Sequence, residues 1–159
     1  MWTWPSRYRL WVTVLSALAL GICSPAFSTE LSWQTSALSA CARHGCEGKL
    51  LIAIGLWEPD KRGNETVGDD GLSFGRFQMR VETASRFVLG RPYRARELTV
   101  TAWLGIAAQL KEDATAVDLA AQELARCSKG RKYRQSILKC WNPGADYPDH
   151  VLAVYRSLK

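Results

Sequence analysis

Hydrophobic positions recur at helical spacing along most of this chain and lose that spacing in one place. Residues 36 to 43 predict a first helix, stopped by Gly45. Residues 49 to 58, "KLLIAIGLWE", are apolar on nearly every side, which predicts a helix buried all round. Residues 82 to 89 predict a short helix ending at Gly90, with Pro92 beyond it. Trp103, Ile106, Ala107 and Leu110 share one helical face. Val117, Ala120, Ala121 and Leu124 share another, with Thr115 expected as its cap and Asp118 following. Tyr133, Ile137, Cys140 and Trp141 form a further stripe, stopped by Pro143 and Gly144. A last helix opens with Pro148 in its first turn and buries Val151, Val154, Tyr155 and Leu158.

The interruption runs from about residue 60 to residue 81 and is rich in Gly and Asp. It has room for a small hairpin or a three-stranded element at most. Within it, "GDDGLSFGRFQM" (residues 68 to 79) sets three glycines beside a lone glutamine among bulky apolar neighbours. Glycine at this density marks backbone that bends sharply or comes close to something. The Gln78 amide has to find hydrogen-bond partners there. Phe74 and Phe77 are expected in the core. A helical domain interrupted once, straight after its most buried helix, is a natural place for a cleft.

The beginning of the chain changes the picture of where the protein works. Arg7 and Arg9 precede an apolar run, Leu10 to Ile22, that is short for a membrane span. Pro25 breaks the run, and Ala26 and Ser28 stand at the spacing a signal peptidase reads. Residues 1–28 are therefore expected to be a signal peptide and 29–159 a single exported domain, periplasmic or extracellular. Without Arg7 and Arg9 the formal charge falls from +6 to about +4. That mild excess suits a polyanionic setting, and solubility alone explains it equally well.

Export leaves Cys41, Cys46, Cys127 and Cys140, an even number that suggests two disulfides in an oxidising compartment. Three connectivities are open, and the local one, Cys41 with Cys46 and Cys127 with Cys140, is expected. The spacings do not suit zinc. His44 and His150 are expected on the surface without partners. No metal and no cofactor is expected.

Glu58 closes the greasy helix. Burial against Ile54 and Trp57 would disfavour its charged form and raise its pKa, as a general acid acting on a glycosidic oxygen requires. Pro59 stops the helix, so Glu58 stands at a rim. Glu65 is a rival acid, in the polar run "KRGNE". Asp69 and Asp70 are the nearest candidates for a second, hydrolytic carboxylate, although turn aspartates more often bond to backbone.

These motifs stand in a telling order. An apolar helix ends in an acid, Glu58; a glycine-rich segment carries Gly71, Gly75 and Gln78; Thr83 and Ala84 follow; much later comes "WNPG", Trp141 to Gly144. The chain resembles the lytic transglycosylases of the lysozyme superfamily, in particular the small exported, conjugation-associated type with a soluble-lytic-transglycosylase domain. The resemblance covers residues 36 to 158. It departs from the family where Pro59 replaces a serine and Trp141 replaces a tyrosine, so that a phenol near the acid is missing. The loop from Glu58 to Gln78 is also longer.

The resemblance implies a mainly α, lysozyme-like fold in which a small β/loop region forms one wall of the active-site cleft. It implies cleavage of the β-1,4 bond between N-acetylmuramic acid and N-acetylglucosamine in peptidoglycan, with a 1,6-anhydro product. Glu58 would be the catalytic acid and base. Ser73, Gly75, Gln78, Trp141 and Asn142 would bind sugar. Partners would be glycan strands and a secretion or conjugation apparatus, not nucleic acid. The rivals are a hydrolytic muramidase on the same fold, a non-catalytic peptidoglycan-binding protein, and a basic helical domain acting on membranes through "RCSKGRKYR".

Overall fold

A computed structural model describes the backbone of residues 25–58, 67–68 and 71–159, with side chains from Ser32 onward except that of Ala95. Most of the expected signal peptide, with Cys23, lies outside the described residues, as do Pro59, Glu65, Asp69 and Asp70. The chain divides into two units, Met1–Ser32 and Trp33–Lys159. The second holds everything below except the start of the first helix.

That helix, α1 (Pro25–His44), is longer than its apolar stripe predicts, and the expected cleavage point after Ser28 falls inside it. It ends where expected. Gly45 takes φ 77°, and the Gly45 and Cys46 N–H groups both bond to the Cys41 carbonyl, at 2.8 and 3.0 Å. The Cys41–Cys46 disulfide closes this turn. Next, α2 (Gly48–Trp57) buries Leu50, Leu51, Ala53 and Ile54 completely, which is what a helix apolar on all sides requires.

The interruption then folds as three antiparallel strands of two residues each: β1 (Val67–Gly68), β2 (Ser73–Phe74) and β3 (Met79–Arg80), in that order. Helix follows to the end: α3 (Val81–Val88), a 3-10 turn at Ala95–Glu97, α4 (Val100–Lys111), α5 (Asp113–Ser128), α6 (Arg134–Trp141) and α7 (Tyr147–Ser157). The protein is thus mainly helical with one small antiparallel sheet. Among the described residues no helix is long and apolar enough to cross a membrane.

One core runs through these elements. It joins Trp33 and Ala37 of α1 to Leu50 and Ile54 of α2, Phe77 of the hairpin, and Leu124 of α5. Helix α2 packs most extensively against α7, and α5 touches α3, α4 and α6 as well as α2. The Cys127–Cys140 disulfide ties the end of α5 to the end of α6. Both disulfides therefore follow the local pairing.

Three local expectations need correction. Thr115 does not cap α5. The helix starts three residues earlier, at Asp113 with Glu112 as its N-cap, and the Thr115 hydroxyl instead donates back to the Glu112 carboxylate. Carboxylates at 112 and 113 favour this earlier start, since they meet the positive end of the helix. Tyr133 is not part of the buried stripe of α6. It stands just outside the helix and is 75% exposed. Nor is His44 without a partner, because its Nε2 lies 2.8 Å from Asp118 Oδ1. Burial opposes ionisation of Asp118, but hydrogen bonds from His44, Arg43 and Gln122 outweigh it and lower its pKa.

Candidate active-site cleft

The cleft depends first on Gly55. A Cβ there would lie 2.8 Å from the Phe77 ring and 2.9 Å from the ring of Trp33. Only a bare backbone lets both rings close on α2. The two rings meet edge to face with centroids 6.0 Å apart. This contact seats the β2–β3 turn against α2 at a point three residues before Glu58, on the neighbouring surface of the same helix.

Glu58 continues the helix as its C-cap (φ −62°, ψ −42°), and its N–H bonds to the Ile54 carbonyl at 3.0 Å. Its side chain is half-buried and lines a cleft of about 460 Å³. Trp57 is not its companion, as the sequence suggested. That ring stacks on His150 instead, with centroids 4.5 Å apart and planes at 7°, which also gives His150 a partner.

The hairpin supplies one wall. Gly68 pairs with Ser73 and Ser73 with Arg80. Cross-strand neighbours share a face, and all three line the cleft. Phe74, one residue along, turns the other way into the core, where it meets Trp103 edge to face at 5.2 Å.

Gln78 is the unusual residue of this wall. Its φ is 43°, in the left-handed region that a non-glycine residue enters at a penalty of about 1 kcal/mol or more. The Gly75 carbonyl holds it there by accepting both its N–H, at 3.1 Å, and its side-chain Nε2, at 2.8 Å. Gly75 itself has φ 71° and does not line the cleft; it acts through Gln78. The other end of the amide lies on the bare backbone of Gly68, where any Cβ would collide with Gln78 Oε1.

The opposite wall is the end of α6. Trp141, Asn142 and Pro143 line it. Asn142 Oδ1 accepts the Gly144 N–H at 2.9 Å and so fixes the turn that leads into α7.

Two residues that sequence reasoning missed complete the site. Glu123 of α5 is 5% exposed and lines the cleft, so a second acid is present. Arg126 grips it by both oxygens, Nε to Oε2 at 2.7 Å and Nη2 to Oε1 at 2.6 Å. That bond to Glu123, against the effect of burial, raises the Arg126 pKa. Arg126 Nη2 also lies 3.3 Å from the sulfurs of Cys127 and Cys140. Ion pair, disulfide and cleft wall are one assembly.

The second is Tyr147, 8% exposed, at the first position of α7. Its hydroxyl meets no partner at full hydrogen-bond geometry, but it is close enough to Glu58 to sense it. Burial first, then the Glu58 charge and a loose hydrogen bond to that carboxylate, push the phenol far above its ordinary pKa. It stays protonated, so its hydroxyl is able to donate to the Glu58 carboxylate. A phenol therefore does stand near the acid, six residues beyond Trp141.

The structure thus brings Glu58, Ser73, Gln78, Trp141 and Asn142 to one cleft, with Gly75 at one remove. Thr83 joins them there. Among the described residues no three His, Cys, Asp or Glu side chains converge as a metal site would need. Compared with known proteins, the chain matches no family model, no curated protein and no solved structure.

Proposed function

We propose that the protein is a lytic transglycosylase that cuts peptidoglycan glycan strands between N-acetylmuramic acid and N-acetylglucosamine, on a lysozyme-like fold. The observation that carries this reading is the meeting of an acid at the end of a buried helix with Ser73, Gln78, Trp141 and Asn142 around a single cleft. The two disulfides are compatible with an exported, periplasmic protein.

In this reading protonated Glu58 gives its proton to the glycosidic oxygen as the bond to the muramoyl C1 breaks. The acetamido group of the same sugar stabilises the positive charge that develops at C1. Glu58, now a carboxylate, takes the proton of the C6 hydroxyl as that oxygen attacks C1. The 1,6-anhydro ring closes and Glu58 is restored to its acid form. The Tyr147 hydroxyl orients the carboxylate through both steps. Gln78 Oε1 is a fixed acceptor for an acetamido N–H, because its Nε2 is already held by Gly75. Neither metal nor cofactor takes part.

Glu123 supports a second reading, a muramidase that adds water, since two carboxylates around one cleft are the machinery of glycoside hydrolysis. Arg126 occupies both oxygens of Glu123, which argues against a role as base or nucleophile. Mass spectrometry of the products released from purified peptidoglycan separates the two. We expect muropeptides ending in 1,6-anhydro sugar, a loss of about a thousandfold or more in Glu58→Gln, and continued cleavage by Glu123→Gln. Reducing ends, together with an inactive Glu123→Gln, would replace the first reading with the second. Cleavage by Glu58→Gln would remove both.

A further inference from the structure

A second hollow, of about 520 Å³, shares no residue with the cleft. It lies between the start of α6, the second half of α7, and Glu47. Ile137 and Leu152 make an apolar floor, each 8% exposed. The rim is aromatic and cationic. Tyr133 is 75% exposed, and Lys132 and Arg156 are exposed and make no ion pair with a described residue.

The lining holds one carboxylate, and its charge is already taken. Both oxygens of Glu47 accept from Arg134 at 2.8 Å, and the Tyr155 hydroxyl donates to Oε1 at 2.6 Å. The Arg134 hydrogen bonds, against the effect of burial, hold the Glu47 carboxyl below its usual range, so the pair stays ionised into acid. Arg134 and Lys49 also stand over the Tyr155 ring, 4.6 and 4.9 Å from its centroid. Among the described residues, none forms an ion pair with Lys132 or Arg156.

A merely solvated basic surface needs no apolar floor and gains nothing from a tyrosine standing in water. Tyrosine and arginine beside an apolar pocket are what binding hot spots are made of. The concavity favours a chain with a side chain to insert over a flat bilayer surface. We propose that this hollow binds a carboxylate-bearing peptide segment, with an apolar side chain seated over Ile137 and Leu152 and carboxylates against Lys132 and Arg156. The proposal stands apart from the glycan reading, because it invokes no sugar and no residue of the cleft.

Fluorescence polarisation with a labelled peptide of alternating leucine and glutamate tests it on the purified protein. The expected result is binding that salt weakens and that a glutamine-for-glutamate peptide does not reproduce. The double variant Lys132→Glu with Arg156→Glu should weaken it by about tenfold or more, and Tyr133→Ala by several-fold. All three positions are exposed, and circular dichroism checks that each variant is folded. No binding by the parent protein, or unchanged binding by the folded double variant, overturns the proposal. So does the case in which vesicles of phosphatidylglycerol and phosphatidylcholine, but not the peptide, lose binding in the double variant; the surface then meets a membrane.

Discussion

One wall of the cleft, lined by Gly68, Ser73 and Gln78 to Arg80, is built on strands of two residues each, while the other, Trp141 to Pro143, is the end of a helix joined to its neighbour by a disulfide. Strands so short cannot stand alone. The hairpin keeps its place because Phe74 of β2 and Phe77 of the β2–β3 turn are sunk in the core. Its shape is written in backbone: Gly68 bare under the Gln78 amide, Gly75 and Gln78 both at positive φ. The disulfide wall is written in side chains, with Arg126 linking Glu123 to the two sulfurs. The hairpin should therefore be sensitive to atoms added, and the opposite wall to atoms removed.

The largest effect on stability should come from the second wall. Replacing Cys127 and Cys140 together by alanine should cost about 2–4 kcal/mol in urea unfolding. The same change at Cys41 and Cys46, which lie only 5 residues apart against 13, should cost less. Equal losses would mean that ring size does not distinguish the two bridges. Next in size is Tyr147→Phe, which removes one oxygen beside Glu58. Turnover should fall about tenfold to a hundredfold with KM unchanged. A variant with altered KM alone would place the phenol on substrate and not on the acid. The smallest is Gly68→Ala. Its new methyl group displaces the Gln78 amide, so glycan turnover should drop several-fold while unfolding free energy moves by under about 1 kcal/mol. If stability falls instead and turnover holds, the hairpin is structural and not a binding wall.

Much of this could be read in the chain. "KLLIAIGLWE" has no polar face, so its burial follows from composition, and Pro59 after it marks Glu58 as the helix end. The hairpin was legible because Gly and Asp break helical spacing over residues that then pair as strands. Glu123 was not, because a stripe drawn through Ala120, Ala121 and Leu124 passes over the one acid among them. Its partner Arg126, three residues on, was the signal available. Tyr147 was hidden by its neighbour. Pro148 marks the start of a helix so clearly that the residue before it reads as a mere flank, whereas it is nearly buried and faces the acid. Nothing in a glutamine announces a left-handed backbone, so the strain at Gln78 belongs to the fold and not to the letter.

Position 78 sets two kinds of selection against each other. Gln78→Gly would relieve the backbone, since glycine alone enters φ 43° at no penalty, and it would delete the amide that faces the cleft. A lineage drifting under pressure for stability alone would settle on glycine there. A glutamine at φ 43° instead holds an amide at the cleft, at the expense of its own backbone.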